Sequence, residues 1–249
     1  MAITRYATAH WQGDLKSGKG TLATPASGLL ADTPYGFNTR FGDAKGTNPE
    51  ELIAAAHAGC FTMALSAKLT EAGHPPAALD TRAERSNRDR KLTSSGLGCA
   101  PTPETAMAIT RYATAHWQGD LKSGKGTLAT PASGLLADTP YGFNTRFGDA
   151  KGTNPEELIA AAHAGCFTMA LSAKLTEAGH PPAALDTRAE VKLSMEGGPS
   201  ISSIHLKVTA DVHGIDAVKF RSLAEDAEKH CPVSRALSAV PITMEATLS

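Results

Sequence analysis

Two cysteines carry the chemistry this sequence could perform. Cys166 lies among Leu158, Ala162, Met169 and Ala173, spaced so that one turn of helix after another brings them to a single apolar face. Cys231 precedes Pro232, a residue suited to the first position of a helix, which makes Cys231 an N-cap. Unpaired N–H groups and the positive end of the helix dipole favour a thiolate there. A thiol embedded in an apolar helix is commonly a small core residue, because burial raises its pKa, and reactivity needs a cation beside it. Arg146 is the candidate nearest in sequence, and it reads equally well as a surface arginine at a strand end. Glu156 lies ten residues before Cys166, roughly 15 Å along a straight helix, so it cannot touch that sulfur from the same unbroken helix. Either the helix bends near Gly165, or Glu156 acts on a cysteine of another chain, or it is a simple charge at a helix N-terminus. His163 and His230 could be drawn with the two thiols into a metal site, although the spacing matches no zinc pattern. Either histidine could also serve as the base of a cysteine hydrolase. Two thiols, one embedded and one at a helix start, could meet as a reversible disulfide.

These residues need elements to hold them. Asn154 suits an N-cap, Pro155 the first helical position, and Glu157 the third, where it can reach back in a capping box. Gly179 suits the left-handed stop, which predicts one helix from Pro155 to about Glu177. Before it, 109–117 and 124–129 read as strands, and 135–147 as a third. After it, 187–195 and 201–212 read as a hairpin turning at Gly197-Gly198. Residues 216–230 read as an amphipathic helix, 231–237 as a short one, and 242–248 as a last strand. Strands grouped around two helices, without regular alternation, predict an α+β fold.

All of this is written twice. Residues 1–84 recur unchanged as 107–190. Evolved repeats drift in sequence and run to a few tens of residues, so an exact copy reads as a recent tandem duplication or an assembly error. Only the second copy continues into new sequence, and 107–249 is read as the complete domain, 1–84 as its truncated duplicate and 85–106 as a linker. Copy one carries Cys60 but ends before any counterpart of Cys231, so Cys60 is not expected to turn over. It also lacks the segments that would cover its long helix, so it either docks on copy two as a pseudo-partner or stays poorly ordered.

The formal net charge is −1, and residues 107–249 carry 13 Lys+Arg against 15 Asp+Glu, or −2. With no basic face, nucleic acid is disfavoured as a partner. No signal-peptide core and no run of eighteen apolar residues stand out, so a cytoplasmic protein with no membrane association is expected. The cysteines are Cys60, Cys99, Cys166 and Cys231. With the duplicate and linker set aside, two widely separated thiols point to catalysis or burial rather than a structural disulfide. There is no C-x-x-C, Gly-rich phosphate loop or H-E-x-x-H.

Residues 107–249 resemble the OsmC/Ohr family of organic hydroperoxide resistance proteins over nearly their whole length. The resemblance rests on His116-Trp-x-Gly-Asp120, Gly124-Lys-Gly-Thr127, Tyr141-Gly-Phe-Asn-Thr-Arg-Phe147, Gly152-Thr-Asn-Pro-Glu-Glu157, Ala161-Ala-His-Ala-Gly-Cys-Phe167 and Cys231-Pro-Val-Ser234. The arginine of the third motif places it nearer the OsmC branch. The resemblance implies an intertwined homodimer of α+β subunits, with an antiparallel sheet around a long central helix. It implies a thiol-dependent peroxidase that reduces organic hydroperoxides and is restored by an external dithiol, with no metal, haem or flavin. Cys166 would be the peroxidatic cysteine, Cys231 the resolving one, Arg146 the thiolate-stabilising cation and Glu156 the carboxylate orienting that arginine. The alternative is a non-catalytic protein of the same fold that binds a small apolar ligand.

Overall fold

The structure is a computed structural model that describes residues 2–86 and 109–249; Cys99 and the linker residues 87–106 lie outside these. Copy one forms β1 (Ala2–Gln12), β2 (Lys19–Ala23), β3 (Thr33–Tyr35), α1 (Phe37–Phe41), α2 (Pro49–Glu71) and β4 (Leu79–Ser86). Copy two repeats them as β5 (Thr110–Gln118), β6 (Lys125–Ala129), β7 (Thr139–Tyr141), α3 (Phe143–Phe147), α4 (Pro155–Glu177) and β8 (Ala184–Ser194). It then adds β9 (Ser200–Asp211), α5 (Ala217–His230), α6 (Pro232–Ala236) and β10 (Ile242–Leu248). The fold is α+β.

The long helix is delimited by its own chemistry. The Asn154 side chain accepts from the Glu157 N–H at 3.0 Å, and Pro155 opens the first turn. Glu157 does not complete a capping box; its carboxylate accepts from the Thr153 hydroxyl at 3.0 Å. At the other end Gly179 takes φ +85°. The His180 N–H then reaches the Leu175 carbonyl at 2.8 Å and the Gly179 N–H the Thr176 carbonyl at 3.0 Å, which satisfies carbonyls the helix leaves open.

Two boundaries differ from the sequence expectation. The strand expected over 135–147 is only Thr139–Tyr141, because the chain turns into α3 at Gly142, whose N–H donates to Thr145 Oγ1 at 2.8 Å. That hydroxyl donates in turn to the Thr153 carbonyl at 2.8 Å and ties α3 to the start of α4. The linker cannot begin at residue 85, since Arg85 and Ser86 pair with Arg111 and Thr110 in a ladder.

That ladder joins the two copies. Copy one does not form a sheet of its own: β1 pairs with β8, and β4 pairs with β5. The registers are equivalent, Thr8 facing Arg188 and Thr114 facing Arg82. The result is a six-stranded sheet ordered β10-β9-β8-β1-β2-β3 and a four-stranded sheet ordered β4-β5-β6-β7. Within the larger sheet β10 runs parallel to β9 and the other pairs are antiparallel. Helix α4 lies on β1 and β8, α2 lies on β4 and β5, and the two helices pack on each other between the sheets. A β-carbon on Gly165 of α4 would meet Tyr35 of copy one at 3.2 Å, and one on Gly59 of α2 would meet Tyr141 of copy two at 3.3 Å. Reciprocal bonds tie the crossing: Arg5 donates to the Arg146 carbonyl at 2.7 Å, and Arg111 to the Arg40 carbonyl at 2.9 Å.

Helices α2 and α4 are both long and apolar enough to cross a membrane by length and composition, and each packs on two strands and on the other helix. Among the described residues α4 packs further against α5 and α6. The apolar face named from its spacing is therefore only part of what α4 buries; Phe167 and His163, off that face, are also enclosed. At identical positions Phe167 is 0% exposed and Phe61 is 50% exposed.

Candidate active site

Cys166 is fully buried at the middle of α4, and Cys231 is fully buried at the N-cap of α6. Both are free thiols, near enough for each to shift the other's ionisation. The cation that reaches Cys166 is not Arg146. It is Arg40, its exact counterpart in copy one, whose Nη1 lies 3.8 Å from the Cys166 sulfur. Arg40 is held by Glu50, with Nε–Oε1 at 3.0 Å and Nη2–Oε1 at 2.5 Å. All four groups are buried.

Crossing of the copies is the reason. Each arginine sits on a five-residue helix, α1 or α3, just ahead of its own long helix, and its carboxylate lies in that helix's first turn. The pair therefore travels together but stands far from the cysteine further along the same helix. Where α2 and α4 cross, each pair meets the other copy's cysteine. Arg146 and Glu156 are bonded in the same way, Nε–Oε1 at 3.0 Å, and both line one cleft with Cys60. Helix α4 runs unbroken past Gly165.

The charges favour a thiolate at one sulfur of the pair. Cys166 is brought down from the usual thiol range to about 7, chiefly by the hydrogen bond from Cys231, against its burial. Arg40 and the Val233 N–H, at the start of α6, add to the lowering, while Glu50 opposes it. Burial works to discharge Arg40, but the sulfur and Glu50 outweigh it and hold the guanidinium charged. Cys231 goes the other way from the expectation for an N-cap. Burial, and then the neighbouring Cys166, push its thiol well above the usual range and outweigh a helix start only five residues long. The arrangement is a nucleophilic thiolate with a protonated thiol against it, a pair able to pass from thiolate to sulfenic acid to disulfide.

The histidines do not join them. His163 Nε2 is bonded to Ser234 Oγ at 2.8 Å, which fastens α6 over α4, while His230 is exposed and its Nδ1 bonds the Asp226 carbonyl at 2.8 Å. Among the described residues no group of three His, Cys, Asp or Glu side chains could hold a metal ion. Burial holds His163 near pKa 4, so it is neutral and a poor base at neutral pH. The unfolded chain binds a proton at this residue that the folded chain refuses, so stability falls as pH falls from about 6.5 to about 4. The expected loss is on the order of 3 kcal/mol. A urea midpoint that drops over this window, and drops less in His163→Gln, checks it.

From the sequence, Arg40 and Glu50 stand with Cys60 in the truncated copy and carry no expected role at Cys166. The signal was present in the identity of the copies: whatever suits Arg146 and Glu156 suits Arg40 and Glu50 equally.

Comparison with known proteins places the chain in a family. The family model described as OsmC-like protein matches residues 42–114 and 148–245. The chain is 53% identical over 134 residues to the Peroxiredoxin OsmC of Escherichia coli (strain K12), covering 53% of this chain and 93% of that protein. It is 29% identical over 147 residues to the organic hydroperoxide resistance protein of Xanthomonas axonopodis pv. citri, covering 54% of this chain and 90% of that one. Among solved structures, the organic hydroperoxide resistance protein OhrB of Bacillus subtilis is matched with a TM-score of 0.40 and 26% identity, over 55% of this chain and 97% of that one. The chain belongs to the OsmC-like protein family.

Proposed function

We propose that this chain is a cysteine-based peroxidase that reduces organic hydroperoxides to alcohols at Cys166. The observation that carries this reading is the Arg40 guanidinium, held by Glu50, 3.8 Å from the buried Cys166 sulfur, with a second buried thiol, Cys231, close enough to shift its ionisation. The Cys166 thiolate attacks one peroxide oxygen, the O–O bond breaks, alcohol leaves and Cys166 becomes a sulfenic acid. Cys231 condenses with it, releasing water and leaving a disulfide, which an external dithiol reduces. No metal, haem or flavin is needed for these steps. The apolar surroundings of Cys166 favour an alkyl peroxide over hydrogen peroxide, which gains nothing from such a lining. A soluble, cytoplasmic setting, where such a dithiol is available, suits the chemistry.

The resemblance implies an intertwined homodimer; here copy one brings Arg40 and Glu50 to Cys166 within a single chain. In residues 107–249 alone, a homodimer would let Arg146 of one subunit take the place of Arg40 at Cys166 of the other. The test is stoichiometric. One equivalent of an alkyl hydroperoxide added to the full chain at nanomolar concentration should yield one equivalent of alcohol and a Cys166–Cys231 disulfide, seen by peptide mass mapping. Absence of that disulfide while the peroxide is consumed overturns the reading.

A further inference from the structure

The duplication leaves a second constellation of the same three residue types. Arg146 and Glu156 are buried and bonded to each other, and they line one cleft with the half-buried Cys60. What differs is everything that follows residue 84. Among the described residues no counterpart of α6, of Cys231 or of Ser234 follows copy one, and His57 stands exposed where His163 is buried. The cleft lined by Cys60, Arg146 and Glu156 is about 380 Å³. Its wall is largely apolar, including Ile53, Ile159, Leu193, Ile201 and Leu237. A cleft of this size and lining, with one charged end at a thiol, fits a ligand with an alkyl body and a small polar head.

We propose that Cys60, Arg146 and Glu156 form a second, one-cysteine site that reduces alkyl hydroperoxides and is restored by an exogenous monothiol. The proposal rests on the peroxidase reading of Cys166. The Cys60 thiolate attacks the outer peroxide oxygen; an S–O bond forms, the O–O bond breaks, and the alkoxide leaves as alcohol after taking a proton from solvent. Sulfur loses two electrons and the peroxide gains them. Among the described residues the other two thiols, Cys166 and Cys231, are fully buried, whereas Cys60 lines a cleft that has room for a small thiol. Its sulfur bonds to Cys60 and water leaves; a second monothiol then displaces Cys60 and departs as the symmetric disulfide. The expectation from sequence that Cys60 does not turn over assumed that resolution must be internal, and an accessible site removes that requirement.

The experiment uses the full-length chain with Cys99→Ser, Cys166→Ser and Cys231→Ser, so that only Cys60 remains. Treated with tert-butyl hydroperoxide, Cys60 should form a sulfenic acid trapped by dimedone. It should then turn over with free cysteine as reductant, and Arg146→Ala in the same background should slow oxidation at least tenfold. Equal oxidation rates with and without Arg146, or with the urea-unfolded chain, overturn the proposal. The unsubstituted chain, mapped in parallel, separates the two readings and guards against misfolding of the variant. If it forms the Cys166–Cys231 disulfide while Cys60 stays reduced, the second site falls alone; if neither cysteine oxidises, both fall.

Discussion

Cys166→Ser, in a chain already carrying Cys60→Ser and Cys99→Ser, is expected to abolish dithiol-driven reduction of an alkyl hydroperoxide, leaving only the uncatalysed background. The hydroxyl of serine cannot ionise near neutral pH, so the Arg40 guanidinium then faces a group that is no nucleophile. Cys231→Ser in the same background should behave differently. One equivalent of peroxide is reduced, because Cys166 keeps Arg40 and Val233; the chain then stalls with Cys166 as a sulfenic acid open to further oxidation. The first reduction should also be slower, since the hydrogen bond from Cys231 is the largest single support of the Cys166 thiolate. Alcohol released per chain, with the oxidation state of Cys166 read by mass, distinguishes the two variants. Full turnover by the Cys166→Ser chain would remove Cys166 from the mechanism.

The arginine that governs Cys166 should prove to be the one 126 residues away in sequence. Arg40→Ala is expected to slow alkylation of Cys166 at pH 7 by roughly tenfold, with the deficit shrinking as pH rises toward the ordinary thiol range. With its pKa near 7, Cys166 is about half thiolate at that pH; a thiol at 9 would be about one-hundredth thiolate. Arg40 is one of three groups that lower this pKa, so its removal should cost only part of that roughly fifty-fold span. The change also leaves Glu50 buried without its partner, which costs on the order of 3–5 kcal/mol of stability. Arg40→Ala combined with Glu50→Gln removes both charges and separates loss of thiolate from loss of fold. Peptide-resolved iodoacetamide labelling across pH is the measurement. Arg146→Ala should have its larger effect on Cys60, and a larger effect on Cys166 than that of Arg40→Ala would contradict the crossed arrangement.

Much of the chain is decided by chemistry that neighbours in sequence can supply. Asn154, Pro155 and Gly179 delimit α4 with bonds that span no more than five residues, so they are legible without the fold. The alternation of Ile204, Leu206, Val208 and Ala210 places β9 in the same way, since period two has only one way to bury a face. The short α3 was less legible, because the Thr145 hydroxyl that accepts from the Gly142 N–H is itself held by the Thr153 carbonyl and so depends on where α4 begins. The sequence alone also sets which residue types can serve the thiol, and the ten-residue separation already bars Glu156 from Cys166 on one straight helix. It does not say which arginine meets which cysteine. Copies one and two are identical through residue 84 and its counterpart 190, so no local preference can tell Arg40 from Arg146 or Cys60 from Cys166. Tertiary structure decides it: β1 is taken into the sheet with β8, the helices cross, and each ion pair is carried to the other copy's sulfur. The 59 residues from Val191 to Ser249 then complete one site and leave the other open, because they can cover only one of two equal helices. Phe167 enclosed and Phe61 half in solvent are the same residue on the same helix with different neighbours, and burial belongs to the neighbours.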